Sequence, residues 1–293
     1  MKIESIGVMS PGDMGQAVAQ QLQSKGFRVC TALTQRSARS KALAREAGLV
    51  DVGSVAELTR NCELILSIMN PGTALEFAGE VAQAITANRR SPLIVDCNAI
   101  SPVTMQKIHA RITAAGGRCA DAGIIGPPPR GSARAALYVA GPDARTLEQL
   151  ATPQLTVHVL GERIGDASAI KMCYGAMTKG VQALVLELLM AARRLGVDAA
   201  LDAQLKASRS DVYDWVMSAL PAMPPKAHRW VPEMREIAAT FEAAGMTPRI
   251  FEGAADMYAY IATTALGKET PENRDKTRTG PDVVRLLADA PRG

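Results

Sequence analysis

The sequence predicts an α/β fold: a doubly wound parallel sheet followed by an all-α region. Three observations lead there. Up to about residue 160, short apolar runs alternate with stretches of helical periodicity, the pattern of right-handed βαβ units whose sheet is covered on both faces. A glycine-rich turn joins the first apolar run to the first helix. After Gly165 the alternation stops, and apolar spacings of three and four residues take over.

Ile3 to Val8 is the first predicted strand. Gln16 to Lys25 is a helix stopped by Gly26, Phe27 to Leu33 the second strand, and Ser37 to Glu46 a helix closed by Gly48. Leu64 to Met69 is a strand ending in Asn70-Pro71-Gly72, followed by a helix through Ala87 and a strand from Leu93 to Asp96. Ser101-Pro102 opens the next helix, with serine as N-cap and proline in the first helical position; it ends near Gly116-Gly117. Arg118 to Ala122 is a strand, Gly126-Pro127-Pro128-Pro129 a rigid segment, and Ala136 to Ala140 and Thr156 to Leu160 two added strands. Asp166 to Leu195 reads as one helix roughly 45 Å long, and Ala200 to Gly267 as further helices punctuated by prolines and glycines. The charged stretch from Lys268, with a small apolar patch at Val283, Val284, Leu286 and Leu287, reads as a weakly held tail or an arm docking on a neighbour. The predicted domains are residues 1–160, a nucleotide-binding unit, and 161–293, a helical substrate and dimerisation unit.

Composition narrows the function. In 293 residues, 47% are hydrophobic and 21% charged, which excludes global disorder. Aromatics at 4% leave little stacking surface for single-stranded nucleic acid. A net charge of +4, with acids and bases mixed along the chain, implies neither a nucleic-acid nor a membrane partner. Cys30, Cys62, Cys97, Cys119 and Cys173 form no CxxC and no zinc-spaced cluster, so reduced thiols, no metal and a cytoplasmic location are expected. The N-terminus carries no signal-peptide pattern, and Glu187 interrupts the richest apolar stretch.

The turn Gly7-Val8-Met9-Ser10-Pro11-Gly12-Asp13-Met14-Gly15 is a dinucleotide fingerprint of Rossmann type with Ser10 in place of its first glycine. Gly12 would let backbone approach a pyrophosphate, Gly15 would let helix and sheet pack closely, and the free N–H groups at the helix start would hold the phosphates; Asp13 and Met14, between the two glycines, belong to the cofactor-binding set. At the end of the second strand, where an NAD site carries an acid, stand Thr34-Gln35-Arg36-Ser37-Ala38-Arg39. Arginine forks match a 2′-phosphate. NADP is therefore favoured, with Arg36 and Ser37 as its readers, and NAD remains possible. Met69 at the end of one predicted strand, and Asn70 and Asn98 just beyond predicted strands, complete the cofactor-binding set.

These motifs resemble the β-hydroxyacid dehydrogenase superfamily, which includes 3-hydroxyisobutyrate dehydrogenases, tartronate semialdehyde reductases and 6-phosphogluconate dehydrogenase. Gly12-Asp13-Met14-Gly15 resembles its opening GxMG; Asp96-Cys97-Asn98 through Pro102 takes the place of D-x-S-T-x-x-P; Asp121-Ala122-Gly123-Ile124-Ile125-Gly126 takes that of D-A-P-V-S-G. Lys171 stands at the catalytic lysine. Ala227-His228-Arg229-Trp230 through Ile237 resembles a less characterised branch with a phosphogluconate dehydrogenase-like C-terminal domain of unknown function. The departures are specific. Ile125 replaces the substrate-loop serine, Lys171-Met172-Cys173-Tyr174-Gly175 replaces K-x-x-N-N, and Thr178 stands where decarboxylating members have a glutamate.

The resemblance implies an NAD(P)-dependent oxidoreductase interconverting an alcohol and a carbonyl on a small hydroxyacid-like substrate, with Lys171 as general acid/base. In a helix Lys171, Tyr174 and Thr178 share a face and Lys179 lies at its edge. A lysine held near a nicotinamide cation and an apolar wall loses basicity, which suits a base. Tyr174 is the second catalytic candidate. Gly126, Pro127, Thr178, Lys179 and His228 are the substrate candidates, although His228 fits packing equally well. His109 and His158 read as structural or exposed. Two other readings stay open: imine reduction, against which the retained Lys171 argues, and a non-catalytic NADP-binding sensor. The apolar stripe of the long helix predicts a homodimer built from the C-terminal domains.

Overall fold

The protein is described here by a computed structural model covering residues 2–290. It divides into two compact units between Met172 and Cys173. The first carries an eight-stranded sheet: β1 (Ser5–Met9), β2 (Arg28–Thr31), β3 (Val50–Asp51), β4 (Leu64–Ser67), β5 (Leu93–Asp96), β6 (Arg118–Ile125), β7 (Ala135–Ala140) and β8 (Leu155–Gly161). Their order is β3-β2-β1-β4-β5-β6-β7-β8, parallel except for the β6–β7 pair. The first six strands follow the order of a Rossmann sheet, with its reversal of direction between β1 and β4.

Helices α1 (Asp13–Ser24), α2 (Ala38–Glu46), α3 (Val55–Asn61), α4 (Ala74–Asn88) and α5 (Pro102–Ala114) connect these strands. Two-faced burial explains the apolar strand runs. Leu64 and Leu66 belong to one core, with Ile6, Val8 and Val18; Ile65 belongs to the other, with Ile94, Phe77 and Met105. Serine caps start three helices: Ser37, Ser54 and Ser101 accept from the backbone N–H groups of Ser40, Glu57 and Thr104. The short β3 and α3 fall in a stretch for which the sequence reading gave no element, and α1 starts at Asp13, three residues earlier than expected.

The long helix runs from Asp166 to Arg194 and divides into α6 (Asp166–Gly175), a π-helical segment (Ala176–Gly180) and α7 (Val181–Arg194). Its turns through Met172 belong to the first unit and the remainder to the second. By length and composition this helix could cross a membrane, and half of its most apolar window is buried within the protein. Beyond it lie α8 (Asp198–Ser208), α9 (Ser210–Ala219), α10 (Ala227–Ala243), α11 (Arg249–Thr263) and α12 (Gly280–Asp289). α10 and α11 pack along each other, with Phe241 and Phe251 at 4.6 Å between ring centroids.

The C-terminal stretch corrects the expectation of a loose tail or an arm for a neighbour. Thr279 and Asp282 form a capping box that starts α12, which packs on α7 and α9 of its own chain. Val283, Val284 and Leu287 are buried there. Arg193 grips the Asp289 carboxylate through Nε and Nη2, both at 3.0 Å, and the Tyr260 hydroxyl donates to the Leu287 carbonyl at 2.6 Å. An apolar face at helical spacing drives this docking; the surrounding charge obscures it in the sequence. Residues 291–293 of this stretch lie outside the described residues.

Candidate cofactor and catalytic site

The fingerprint turn forms at the carboxyl end of β1. Gly12 donates its N–H to the Ser10 carbonyl at 2.8 Å, so Ser10 makes the tight turn that a glycine makes in the usual motif. A Cβ on Gly15 would lie 2.1 Å from that same carbonyl oxygen, which only glycine allows. A Cβ on Gly12 would meet nothing within 4 Å, so the backbone there faces open space. Gly12 is the N-cap of α1 and offers no side-chain cap. The N–H groups of Asp13, Met14 and Gly15 therefore lack partners within the helix, as at any helix start.

Beside this turn is a cavity of about 340 Å3 lined by Thr34, Arg36, Gly53, Met69, Glu76 and Phe77, among others. Arg36 and Met69, 33 residues apart in sequence, are brought together at this one cavity. The Ser37 oxygen accepts from Ser40 N–H at 3.2 Å as the cap of α2. The Asn70 side chain accepts from Gly72 N–H at 3.0 Å and holds the turn after β4. Asn98 is buried, and its amide ties the ends of two strands together. Oδ1 accepts from Met69 N–H at 2.6 Å, and Nδ2 donates to Ser67 Oγ and Asp96 Oδ2, both at 2.8 Å. Its hydrogen-bonding groups are thus spent on shaping the backbone around the cavity.

The seat of Lys171 is built from β6. Asp121 accepts from Gly165 N–H at 2.9 Å, Ser168 N–H at 3.0 Å and Ser168 Oγ–H at 2.6 Å, which caps the start of α6 from the neighbouring strand. Two residues on, a Cβ at Gly123 would lie 2.7 Å from the Ala167 carbonyl oxygen and 2.9 Å from Lys171 Cβ. The glycine lets helix and strand close. The Lys171 ammonium donates to the Ile124 carbonyl. Gly126 follows at φ +121°, a backbone conformation that favours glycine, and a Cβ there would press on the Arg134 carbonyl oxygen at 2.8 Å. Pro127 lies exposed in the same loop.

The second unit holds the remaining candidates. Tyr174 is half-exposed. The Thr178 hydroxyl donates to the Tyr174 carbonyl at 3.0 Å. Lys179, in the π-helical segment, forms an ion pair with buried Glu233 of α10 and lies 5.3 Å from the Trp230 ring centroid; its carbonyl accepts from the Tyr258 hydroxyl at 2.7 Å. A Cβ on Gly175 would lie 3.6 Å from Glu233 Oε1. His228 is exposed at the start of α10, and partial burial of its ring, aided by Arg229, holds its pKa below the usual imidazole range. Glu233 and Asp121 were not singled out as site residues from sequence. Asp121 opens the segment that resembles D-A-P-V-S-G and Glu233 lies in the segment that resembles the C-terminal domain, but nothing local marks either as the partner of α6 or of Lys179. Among the described residues, no group of three or more His, Cys, Asp or Glu is placed to hold a metal ion.

A glycine turn feeding a helix start beside a cavity at the strand ends defines a dinucleotide-binding domain of the NAD(P) type. The chain belongs to the family defined by the NAD-binding domain of 6-phosphogluconate dehydrogenase, which matches residues 5–155. Residues 192–261 match a domain of unknown function, DUF1932. The chain is similar to the mitochondrial 3-hydroxyisobutyrate dehydrogenase of Drosophila melanogaster, 24% identical over 233 residues, covering 75% of this chain and 70% of that protein. Among solved structures it resembles a conserved protein of unknown function described as similar to 3-hydroxyacid dehydrogenases (27% identity, 98% of this chain and 100% of that one, TM-score 0.64). It also shares the fold of Mycobacterium tuberculosis 3-hydroxyisobutyrate dehydrogenase (18%, 98% and 99%, TM-score 0.71) and of the Myxococcus stipitatus imine reductase in complex with NAD+ (19%, 98% and 100%, TM-score 0.56).

Asp96 and Asp121 are register partners on β5 and β6. Burial pushes Asp96 up to about 7, against the hydrogen bonds from Asn98, and also raises Asp121. A carboxyl that holds its proton more tightly when folded stabilises the fold fully below its unfolded pKa, about 4, and loses that contribution as pH rises through the folded value. Asp96→Asn fixes the neutral form in nearly the same shape. Denaturant midpoints measured from pH 4 to 8 should therefore fall more steeply for the native protein than for the variant. Parallel curves would show that Asp96 does not titrate in this range.

Proposed function

We propose that this protein is an NADP-dependent dehydrogenase or reductase that interconverts an alcohol and a carbonyl on a small hydroxyacid-like substrate, with Lys171 as the general acid/base. The observation that carries this reading is the seat of Lys171. A buried carboxylate, a required glycine and the Ile124 carbonyl all hold Lys171, and this is the lysine that by resemblance corresponds to the family's catalytic one. The residues present fit a dinucleotide: open space at Gly12, unpartnered N–H groups at the start of α1, and a cavity bearing Arg36 where a 2′-phosphate would lie. Gly12, Asp13, Met14 and Gly15 would hold the diphosphate, and Arg36 and Ser37 the adenosine ribose, with Met69, Asn70 and Asn98 shaping the wall. When bound, the nicotinamide accepts or donates the reducing equivalent.

In this reading Lys171 takes the hydroxyl proton during oxidation and returns it during reduction, and the Ile124 carbonyl keeps its ammonium aimed. Tyr174 orients the substrate oxygen in place of the missing amide. The substrate candidates are Gly126 and Pro127 in the first unit and Thr178, Lys179 and His228 in the second. Imine reduction is the second reading, favoured by the shared fold alone; the retained Lys171 speaks against it. A non-catalytic sensor would bind the cofactor without turnover. Exposed Met177 and Leu184 on the long helix, and exposed Ile250, which lines one cavity with Leu184, support a homodimer through the helical region. The five cysteines are all free thiols, in keeping with a cytoplasmic enzyme.

Three measurements test this reading. Native protein should bind NADP about tenfold tighter than NAD, about 1.4 kcal/mol, and Arg36→Ala should weaken NADP while leaving NAD nearly unchanged; equal native affinities would refute the preference. In a screen of hydroxy acids and aryl alcohols, Lys171→Ala should keep NADP affinity and reduce turnover about a hundredfold or more, with Tyr174→Phe costing less. Near-native turnover in the lysine variant would remove the mechanism. Light scattering at micromolar concentration should give twice the 31.0 kDa chain mass, and a monomer would rule out the dimer.

A further inference from the structure

Arg130 lies in none of the sequence motifs, yet it reaches the fingerprint. It follows Gly126-Pro127-Pro128-Pro129, a loop anchored on α1 by Gln21 Nε2, which donates to the Pro129 carbonyl at 3.1 Å. Arg130 Nη1 meets Asp13 Oδ1 at 2.6 Å, and Nη2 donates to the Asp13 carbonyl at 2.9 Å and to Gln16 Oε1 at 2.7 Å. The guanidinium thus lies along the first turn of the helix whose N–H groups face the diphosphate seat.

The charges at this point conflict. Asp13 in the first turn suits the helix dipole when no ligand is bound, but a carboxylate at the mouth of an anion site repels the anion. Arg130 neutralises it. A guanidinium has five N–H donors; these contacts use three, so two remain for a ligand. The three bonds to Asp13 and Gln16 fix its plane beforehand, which lowers the ordering cost when a phosphate oxygen arrives.

Building on the dinucleotide-binding reading, we propose that Arg130 is a cofactor-positioning residue: Asp13 and Gln16 hold its guanidinium beside the fingerprint, where it supplies the cation for the diphosphate shared by NAD and NADP. Arg36 then distinguishes the two cofactors, and Arg130 serves both.

The test is titration of NADP+ and of NAD+ into the native protein and into Arg130→Ala, Arg130→Gln and Asp13→Asn variants by calorimetry at low and high salt. Arg130→Ala and Arg130→Gln should each weaken both cofactors about tenfold, leave their ratio unchanged and flatten the salt dependence. Asp13→Asn, which removes the repulsion and keeps the cation, should tighten both. Native-like affinity in either Arg130 variant would overturn the proposal, as would a loss confined to NADP. If Asp13→Asn weakens binding as much as the Arg130 variants, the pair is a structural tie and the proposal fails. Cofactor-free melting curves identify any variant that does not fold, and the glutamine variant, which keeps the side chain's length, then decides. Failure of the native protein to bind either cofactor would instead remove the dinucleotide reading on which this rests.

Discussion

The buried Asp121 carboxylate is the interaction on which the rest of the candidate catalytic site depends. It is fully enclosed, and a lone buried charge is costly unless hydrogen-bonded. Here it accepts two backbone N–H groups at the start of α6 and one serine hydroxyl, so a single side chain satisfies orphan donors of the helix while the helix start offsets part of its negative charge. Burial still dominates and raises its pKa. The helix is thereby pinned to the strand, and every later contact follows from that. Gly123 must lack a Cβ because Ala167 and Lys171 Cβ press against it. Lys171 can reach the Ile124 carbonyl because its Cα is held one helical turn from the cap.

The same device recurs at the neighbouring strand ends. Asn98 joins β4 to β5 through Met69 N–H, Ser67 and Asp96, and Asp51 bonds the N–H groups of Leu33 and Gly53 across β2 and β3. Loops at the carboxyl ends of parallel strands carry the ligand site in this architecture, and such loops have no ladder of their own to hold them. Buried polar side chains supply that rigidity. Several residue types that look like ligands in the sequence are therefore occupied with backbone. Asn98 fixes the position of Met69, and the Ser37 oxygen fixes the start of α2.

What was legible in the sequence was whatever is encoded locally. The apolar run Leu64-Ile65-Leu66 read as a strand because both its faces are buried, and Ser101-Pro102 and Ser37 marked helix starts at the residues where the caps lie. The fingerprint was legible because its demands are local: Gly15 must lack a Cβ because of the Ser10 carbonyl five residues before it, and Gly12 leaves the backbone between them open. Ser54 three residues before Glu57, and Thr279 three before Asp282, were equally local signals for α3 and α12. They went unread because α3 is only seven residues long and because charged neighbours surround the stripe of α12. The π-helical segment carries no signal at all, since it is a change in backbone bonding rather than in side-chain period. Arg130 lies 117 residues from Asp13, and Glu233 lies 54 from Lys179. Pairings at that range depend on topology, which local pattern does not contain.

Gly175 shows how a departure from the family pattern is absorbed. An amide side chain is expected there by resemblance. Glycine instead opens a slot on the helix, and α10 fills it: Ile237 Cδ1 would lie 3.1 Å and Glu233 Oε1 3.6 Å from a Cβ. The carboxylate brought in is buried and requires a cation, which Lys179 supplies from the π-helical segment four residues further on, with the Trp230 ring face adding to the stabilisation of that cation. Glycine, acid, lysine and tryptophan thus form one unit. Restoring the amide alone would force Ile237 aside and crowd the Glu233–Lys179 pair, so a side chain at this position requires α10 and the π-helical segment to change together.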